Sequence, residues 1–283
     1  MTLGEALLHY QQLLQPATDP SEAKAMSLLL LEHVTQIDRN ELHKQHRTLL
    51  STEQQEKLSQ LAARVVKGEP LQYALGEAWF CGLKLMVNQS VLIPRPETEE
   101  LVEWIIANCR FPVSTLQIVD AGTGSGCIAL ALKRRIRKAS VTALDIDPAA
   151  LAVARHNAIQ LGIDIDCLQA DLLNPSAWSH LPMADLIVSN PPYISEQEKE
   201  SMSHTVLGYE PHLALFAPGS DPLLFYRMLT QLAKEKLRSE GQVFLELNAA
   251  YASDIAELFV RENFQVALKE DMQGKKRMLR AWR

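Results

Sequence analysis

Two short stretches carry residue types that could do chemistry. The first is Asp120-Ala121-Gly122-Thr123-Gly124-Ser125-Gly126. Its glycines allow a tight turn and close approach of a ligand to the backbone. The spacing is G-x-G-x-G. A dinucleotide fingerprint, G-x-G-x-x-G, would need glycine at 127, and the residue there is Cys127. The acid two residues before the first glycine also argues against a pyrophosphate, which prefers a helix N-terminus without a nearby carboxylate. A methionine-type ligand carries an ammonium group instead, which Asp120 could hold directly or through water. Asp145 and Asp171 follow at the ends of the next two candidate strands. Asp145 is placed to accept hydrogen bonds from ribose hydroxyls, and Asp171 from an adenine amino group.

The second stretch is Asn190-Pro191-Pro192-Tyr193, directly after the apolar run Ala184–Ser189. Prolines lack a backbone N–H but keep their carbonyl acceptors. Asn190 adds a side-chain carbonyl oxygen. Asn190 Oδ1 and the Pro191 carbonyl could together accept both N–H bonds of an –NH2 group. Tyr193 offers a flat face for a planar acceptor. An amide or aryl amine nitrogen is a poor nucleophile because its lone pair is delocalised. Two acceptors orient it and increase its electron density for attack on a sulfonium methyl, and positioning supplies much of the rate. The two stretches together read as methyl transfer from S-adenosylmethionine, leaving S-adenosylhomocysteine, to a planar nitrogen. No general base is needed beforehand, because the methylated nitrogen becomes strongly acidic.

The elements around these stretches form an α/β chain. From residue 116 onward apolar strands alternate with helices. Strands are predicted at 116–120, 141–145, 166–170, 185–189 and 242–247. Helices are predicted at 127–138, 148–161 and 221–238. This alternation implies a parallel sheet covered on both faces. The segments 264–269 and 277–283 read as a closing strand pair. Residues 1–75 read as a helical bundle, with Ser21 and Ser51 as N-caps and Gly68-Glu69-Pro70 as a stop. Residues 76–93 read as a β-hairpin linker, with Gly76 and Gly82 flanking Trp79 and Phe80. Residues 94–283 form the catalytic domain. A helix over 97–108 begins with acidic residues, which suit its N-terminus.

Composition narrows the partner. The 283 residues are 47% hydrophobic and 22% charged, with net charge −6. This chain can bury a core. The acidic balance argues against bulk nucleic acid, whose binders draw affinity from phosphate neutralisation. Cys81, Cys109, Cys127 and Cys167 show no C-x-x-C, so neither zinc nor a disulfide framework is suggested, and reduced thiols in the cytosol are expected. No secretory leader, membrane span or metal is expected. His43 and His46 lack further ligands nearby. Lys133, Arg134, Arg135, Arg137 and Lys138 read as a solvated helix end complementing the dipole, or as contact with an rRNA-like or acidic partner.

The order of these features resembles the HemK/PrmC family of glutamine methyltransferases. A helical N-terminal domain precedes Val91-Leu92-Ile93-Pro94-Arg95-Pro96-Glu97-Thr98-Glu99, then Asp120–Gly126, then Asn190–Tyr193. The resemblance covers essentially the whole chain. It implies a class I, Rossmann-like, seven-stranded domain. The implied substrate is the glutamine side-chain amide in the Gly-Gly-Gln motif of class 1 peptide chain release factors, gripped by the helical domain. It also implies that Gly122, Thr123, Gly124, Ser125, Gly126 and Asp145 bind the methyl donor, and that Asn190, Pro191, Pro192 and Tyr193 bind the acceptor. Pro94–Thr98 is implied to lie near the acceptor channel, although Glu97 and Thr98 read equally well as helix-start residues. Leu172 stands where the family often has a large aromatic, so either Leu172 or Trp178 would pack on adenine. Ala78-Trp79-Phe80-Cys81-Gly82 looks more like a sister family acting on a large-subunit ribosomal protein. A DNA adenine-N6 methyltransferase and a non-catalytic binding module are the remaining alternatives. The expected protein is a monomer without DNA or membrane partners.

Overall fold

A computed structural model describes residues 1–283 except 109–115, 195–197, 200, 201 and 220. Cys109 lies outside the described residues. The chain divides into two compact units.

The first unit comprises Met1–Gly76 together with Ser203–Tyr209. Its helices are α1 (Leu3–Leu14), α2 (Pro20–Thr35), α3 (Arg39–Leu42), α4 (Thr52–Val66) and α5 (Leu71–Leu75). Thr2 caps α1 and Ser51 caps α4, each in a reciprocal capping box, with Glu5 and Gln54 respectively. Leucines and alanines at helical spacing bury one face of each long helix. Leu14, Leu30 and Leu58 are fully enclosed in a common cluster. The start of α2 corrects one expectation. Its N-cap is Asp19, not Ser21, because Pro20 occupies the first helical position. Proline there sacrifices only an N–H that has no helical partner. The Asp19 carboxylate then accepts the amides of Ser21 and Glu22 at 2.8 and 3.0 Å.

The second unit comprises Glu77–Met202 and Glu210–Arg283. It opens with a hairpin, β1 (Glu77–Phe80) and β2 (Leu83–Met86), turned through Cys81 and Gly82 at positive φ. Helix α6 (Pro96–Asn108) follows. Then come β3 (Gln117–Ala121), α7 (Cys127–Arg135), β4 (Ser140–Asp145), α8 (Pro148–Leu161), β5 (Asp166–Gln169) and β6 (Ala184–Ser189). Helix α9 (His204–Tyr209) belongs to the first unit. The second unit continues with α10 (His212–Leu215), α11 (Leu224–Lys236), β7 (Leu237–Glu246), α12 (Ala252–Arg261), β8 (Gln265–Glu270) and β9 (Lys276–Trp282). Among the described residues the main sheet has seven strands in the order β5-β4-β3-β6-β7-β9-β8. The first five are parallel, and β9 is antiparallel to both β7 and β8. Apolar clusters cover both faces of the sheet, one with Trp178, Tyr226 and Phe259, the other with Leu101, Leu130 and Phe244. This explains the near-continuous apolar runs of the parallel strands.

Further differences from the sequence reading are local. Helix α7 stops at Arg135, because Ile136 leaves helical geometry. The basic run therefore straddles the helix end. Lys133 donates to the Ala139 carbonyl at 2.6 Å and Arg135 pairs with Glu103 at 2.6 Å. Helix α12 has no counterpart among the predicted elements.

The corrected cap is testable. Asp19→Ala lowers the unfolding free energy of the helical unit by about 1 kcal/mol, whereas Ser21→Ala changes it by less than about 0.5 kcal/mol. Urea titrations of the two variants give both numbers.

Candidate active site

The carboxyl ends of the parallel strands carry the site, where open α/β sheets receive ligands. Strands β3 and β6 are neighbours, with Ala121 opposite Ser189. Ser189 Oγ donates to the Ala121 carbonyl at 2.6 Å and is fully buried. The glycine loop after β3 and the Asn190 loop after β6 therefore leave the sheet side by side. Both line one cavity of about 520 Å³.

The glycine loop is held by backbone and carboxylate. Gly122 and Thr123 donate to the Leu144 carbonyl at 2.9 and 2.8 Å. Gly124 donates to Asp145 Oδ2 at 2.9 Å, while Asp147 donates to Asp145 Oδ1 at 3.0 Å. Burial raises the Asp145 carboxyl above its usual range, opposed by these amide bonds. Each oxygen keeps acceptor capacity, and Asp145 lines the cavity. At Gly126 the φ of +80° would strain any other residue, and a Cβ would lie 3.2 Å from Ala154 Cβ. This glycine closes the loop onto α8 and, unlike the rest of the loop, does not line the cavity. Asn157 of α8, buried and not anticipated from sequence, donates to the Ser125 carbonyl at 2.9 Å and bonds Met86 through both amide atoms.

Asp120 is placed differently from the expectation. Its side chain is fully buried and does not line the cavity. Alternation along β3 sends Ala121 to the cavity and Asp120 behind the loop. Asp120 Oδ2 accepts from Thr123 Oγ1 at 2.6 Å and from the Ala129 amide at 3.2 Å. Oδ1 has no partner among the described residues. Burial pushes this carboxyl up to about 7.

Asp171 and Leu172 line the cavity beyond β5, with Asp171 Oδ1 taking the Leu173 amide at 2.8 Å. Trp178 does not reach it. The short turn Pro175–His180 folds its ring entirely into the core, so of the two candidates for adenine packing only Leu172 is on the wall. Phe216, Pro218 and Phe225 also line the cavity.

At the acceptor end, Asn190, Pro191 and Pro192 line the cavity together with Pro94, Arg95 and Thr98. Arg95 is anchored by an ion pair of 2.6 Å to the buried Glu210. Asn190 Nδ2 donates to Thr98 Oγ1 at 3.2 Å. Among the described residues no donor meets Asn190 Oδ1 or the Pro191 carbonyl. Tyr193 is not on the cavity wall. Its hydroxyl donates to Glu246 Oε1 at 3.3 Å, and burial raises its pKa far above the usual phenol value. Glu246 went unread in the sequence. The signal was an acid inside the apolar run Val243-Phe244-Leu245-Glu246-Leu247 at the carboxyl end of a strand. Among the described residues no group of three or more His, Cys, Asp or Glu could hold a metal, and no helix is long and apolar enough to cross a membrane.

This sheet order, glycine loop and acceptor loop define a class I, Rossmann-like methyltransferase. Residues 99–210 match the family described as Methyltransferase small domain, and residues 5–76 match the PrmC N-terminal domain. A methyltransferase structure from Pyrococcus furiosus shares the fold at TM-score 0.51, with 18% identity over 78% of this chain and 96% of that chain. Much nearer in sequence is a release factor glutamine methyltransferase of Flavobacterium psychrophilum, 39% identical over 96% of this chain and 95% of the relative. One of Bacteroides thetaiotaomicron is 38% identical over 96% of this chain and 97% of the relative. The chain belongs to the release factor glutamine methyltransferase family.

The Asp120 geometry predicts a pH effect. The folded carboxyl keeps its proton to about pH 7, whereas an unfolded one releases it near about 4. Between these values the folded state binds more protons, so this group's contribution to stability falls as pH rises and levels off above about 7. The stability of the wild type minus that of Asp120→Asn should therefore decline from about pH 4 to about 7. Urea unfolding at several pH values checks this, and a pH-independent difference contradicts it.

Proposed function

We propose that this protein transfers the methyl group of S-adenosylmethionine to the side-chain amide nitrogen of the glutamine in the Gly-Gly-Gln motif of class 1 release factors. The single observation that carries the reading is the pair of acceptors without protein donors among the described residues, Asn190 Oδ1 and the Pro191 carbonyl, in the same cavity as the glycine loop. Asn190 is partly buried and lines the cavity, so its acceptor is open to a ligand there. A carboxamide –NH2 supplies two N–H bonds to the pair.

The residues present fit the methyl donor. The glycine loop would hold the methionine portion, Asp145 would accept from the ribose hydroxyls, and Leu172 would pack on the adenine with Asp171 accepting its amino group. Asp120 acts from behind the loop, by holding Thr123 and the start of α7. When bound, S-adenosylmethionine supplies an electrophilic methyl on a sulfonium sulfur. Asn190 and Pro191 orient the glutamine nitrogen toward it and polarise its N–H bonds, so positioning and electrostatics lower the barrier. The new N–C bond forms as the S–C bond breaks. The nitrogen then loses one proton to solvent, and no side chain is required as a base.

The named activity of the relatives supports the release factor as substrate, and the helical unit supports a protein rather than DNA as partner. The reading further assigns a monomer acting in the cytosol. Incubation with S-adenosylmethionine and a purified release factor, followed by mass measurement of the Gly-Gly-Gln peptide, tests it. The glutamine gains one methyl, and Asn190→Ala lowers the rate by about 10²–10³-fold. An unmodified release factor alongside a methylated ribosomal protein or DNA would overturn the assignment.

A further inference from the structure

We infer that Thr98 and Glu246 are positioning residues, forming a one-way hydrogen-bond relay that fixes the Asn190 carboxamide with Oδ1 toward the methyl acceptor. The inference rests on the acceptor role proposed for Asn190. Glu246 is 2% exposed and sits at the carboxyl end of β7. Its Oε2 accepts from Thr98 Oγ1 at 2.6 Å, and its Oε1 from the Tyr193 hydroxyl at 3.3 Å. A carboxylate can only accept. The single Thr98 proton is thus committed to Glu246, and Thr98 faces Asn190 with lone pairs. Asn190 Nδ2 donates into them at 3.2 Å.

The direction of this chain decides the chemistry. Rotating the Asn190 amide by half a turn would set Oδ1 against an oxygen with no proton to give. It would also turn two N–H donors toward the N–H donors of the acceptor amide. Side-chain amides choose between such states through their hydrogen-bond partners. Here the choice is imposed from the core, two hydrogen bonds away. A threonine at a helix start and a glutamate in an apolar strand would otherwise have no reason to meet across 148 residues of sequence. The relay also accounts for a polar Thr98 in the first turn of α6 being 2% exposed.

The groups facing Glu246 keep the direction. Burial raises the Glu246 carboxyl above its usual range, and Glu97 of α6 adds to this, while the Thr98 and Tyr193 hydroxyls and Arg277 of β9 favour the ionised form. Tyr226 of α11 donates its hydroxyl to the Glu246 main-chain carbonyl at 3.3 Å, leaving the carboxylate to Thr98 and Tyr193. Protonation of Glu246 would let the relay run backward, with Thr98 donating to Asn190. The ionised state is therefore the competent one.

Single-turnover transfer of a labelled methyl to a purified release factor tests the relay, with S-adenosylmethionine affinity measured by calorimetry. Thr98→Val preserves shape but removes the hydroxyl. It should lower the transfer rate by about 10–100-fold, as expected for losing a positioning hydrogen bond, while donor affinity stays within about twofold. Thr98→Ser restores most of the rate. In an Asn190→Ala background, Thr98→Val should cost nothing further, because the relay then has nothing to orient. Wild-type transfer by Thr98→Val, or an equal loss in both backgrounds, overturns the relay. Full activity of Asn190→Ala on the release factor overturns instead the acceptor role on which it rests. Glu246→Gln gives a second route, since its amide can donate to Thr98. A folded, donor-binding Glu246→Gln with undiminished transfer would also overturn the relay.

Discussion

The parallel pairing of β3 with β6 is the interaction on which the rest of the site depends. Ser189 Oγ bonded to the Ala121 carbonyl at 2.6 Å locks the last residues of the two strands at the same level. A register slip would separate the glycine loop from the Asn190 loop and also exchange the faces of each strand. With the register fixed, Ala121 and Asn190 reach one cavity, and Asp120 falls behind it. The adjoining strands extend the same logic. Strand β4 delivers Asp145 to the glycine loop, and β7 delivers Glu246 behind the acceptor loop.

Polar groups around this site form two sets with different tasks. The Asp145, Asp120 and Asn157 side chains are bound mainly by backbone amides and carbonyls, which fix the shape of the donor pocket. The Glu246, Thr98, Tyr193 and Asn190 side chains bond one another. Such a network is costly to bury unless satisfied, and it then specifies one arrangement. On the cavity wall Asp145 keeps spare acceptor capacity, and Asn190 Oδ1 meets no protein donor among the described residues. That is the condition under which a weakly nucleophilic amide gains most from being held.

Much of the fold was legible because parallel strands announce themselves. Runs such as Leu186-Ile187-Val188 are buried on both faces, and Pro148 and Asp147 mark the start of α8 plainly. Helix α12 went unread because neither glycine nor proline marks its start. A 3-10 turn capped by Asn248 leads into it instead. At the site, the glycine spacing and the Asn-Pro-Pro-Tyr run carry their chemistry in adjacent residues, so sequence exposes them. Orientation is another matter. The inward turn of Asp120, the burial of Trp178 and the rotation of Tyr193 toward Glu246 all follow from tertiary packing. Thr98 and Glu246 are far apart in sequence, and no local spacing could have joined them.

The central claim is that the acceptor nitrogen is held by both of its N–H bonds, one to Asn190 Oδ1 and one to the Pro191 carbonyl. A glutamine already methylated once retains a single N–H and cannot satisfy both. The direct measurement is the mass of the Gly-Gly-Gln peptide after prolonged incubation of the enzyme with excess S-adenosylmethionine. The account predicts that the glutamine stops at one methyl group. Accumulation of a dimethylated glutamine amide would contradict it.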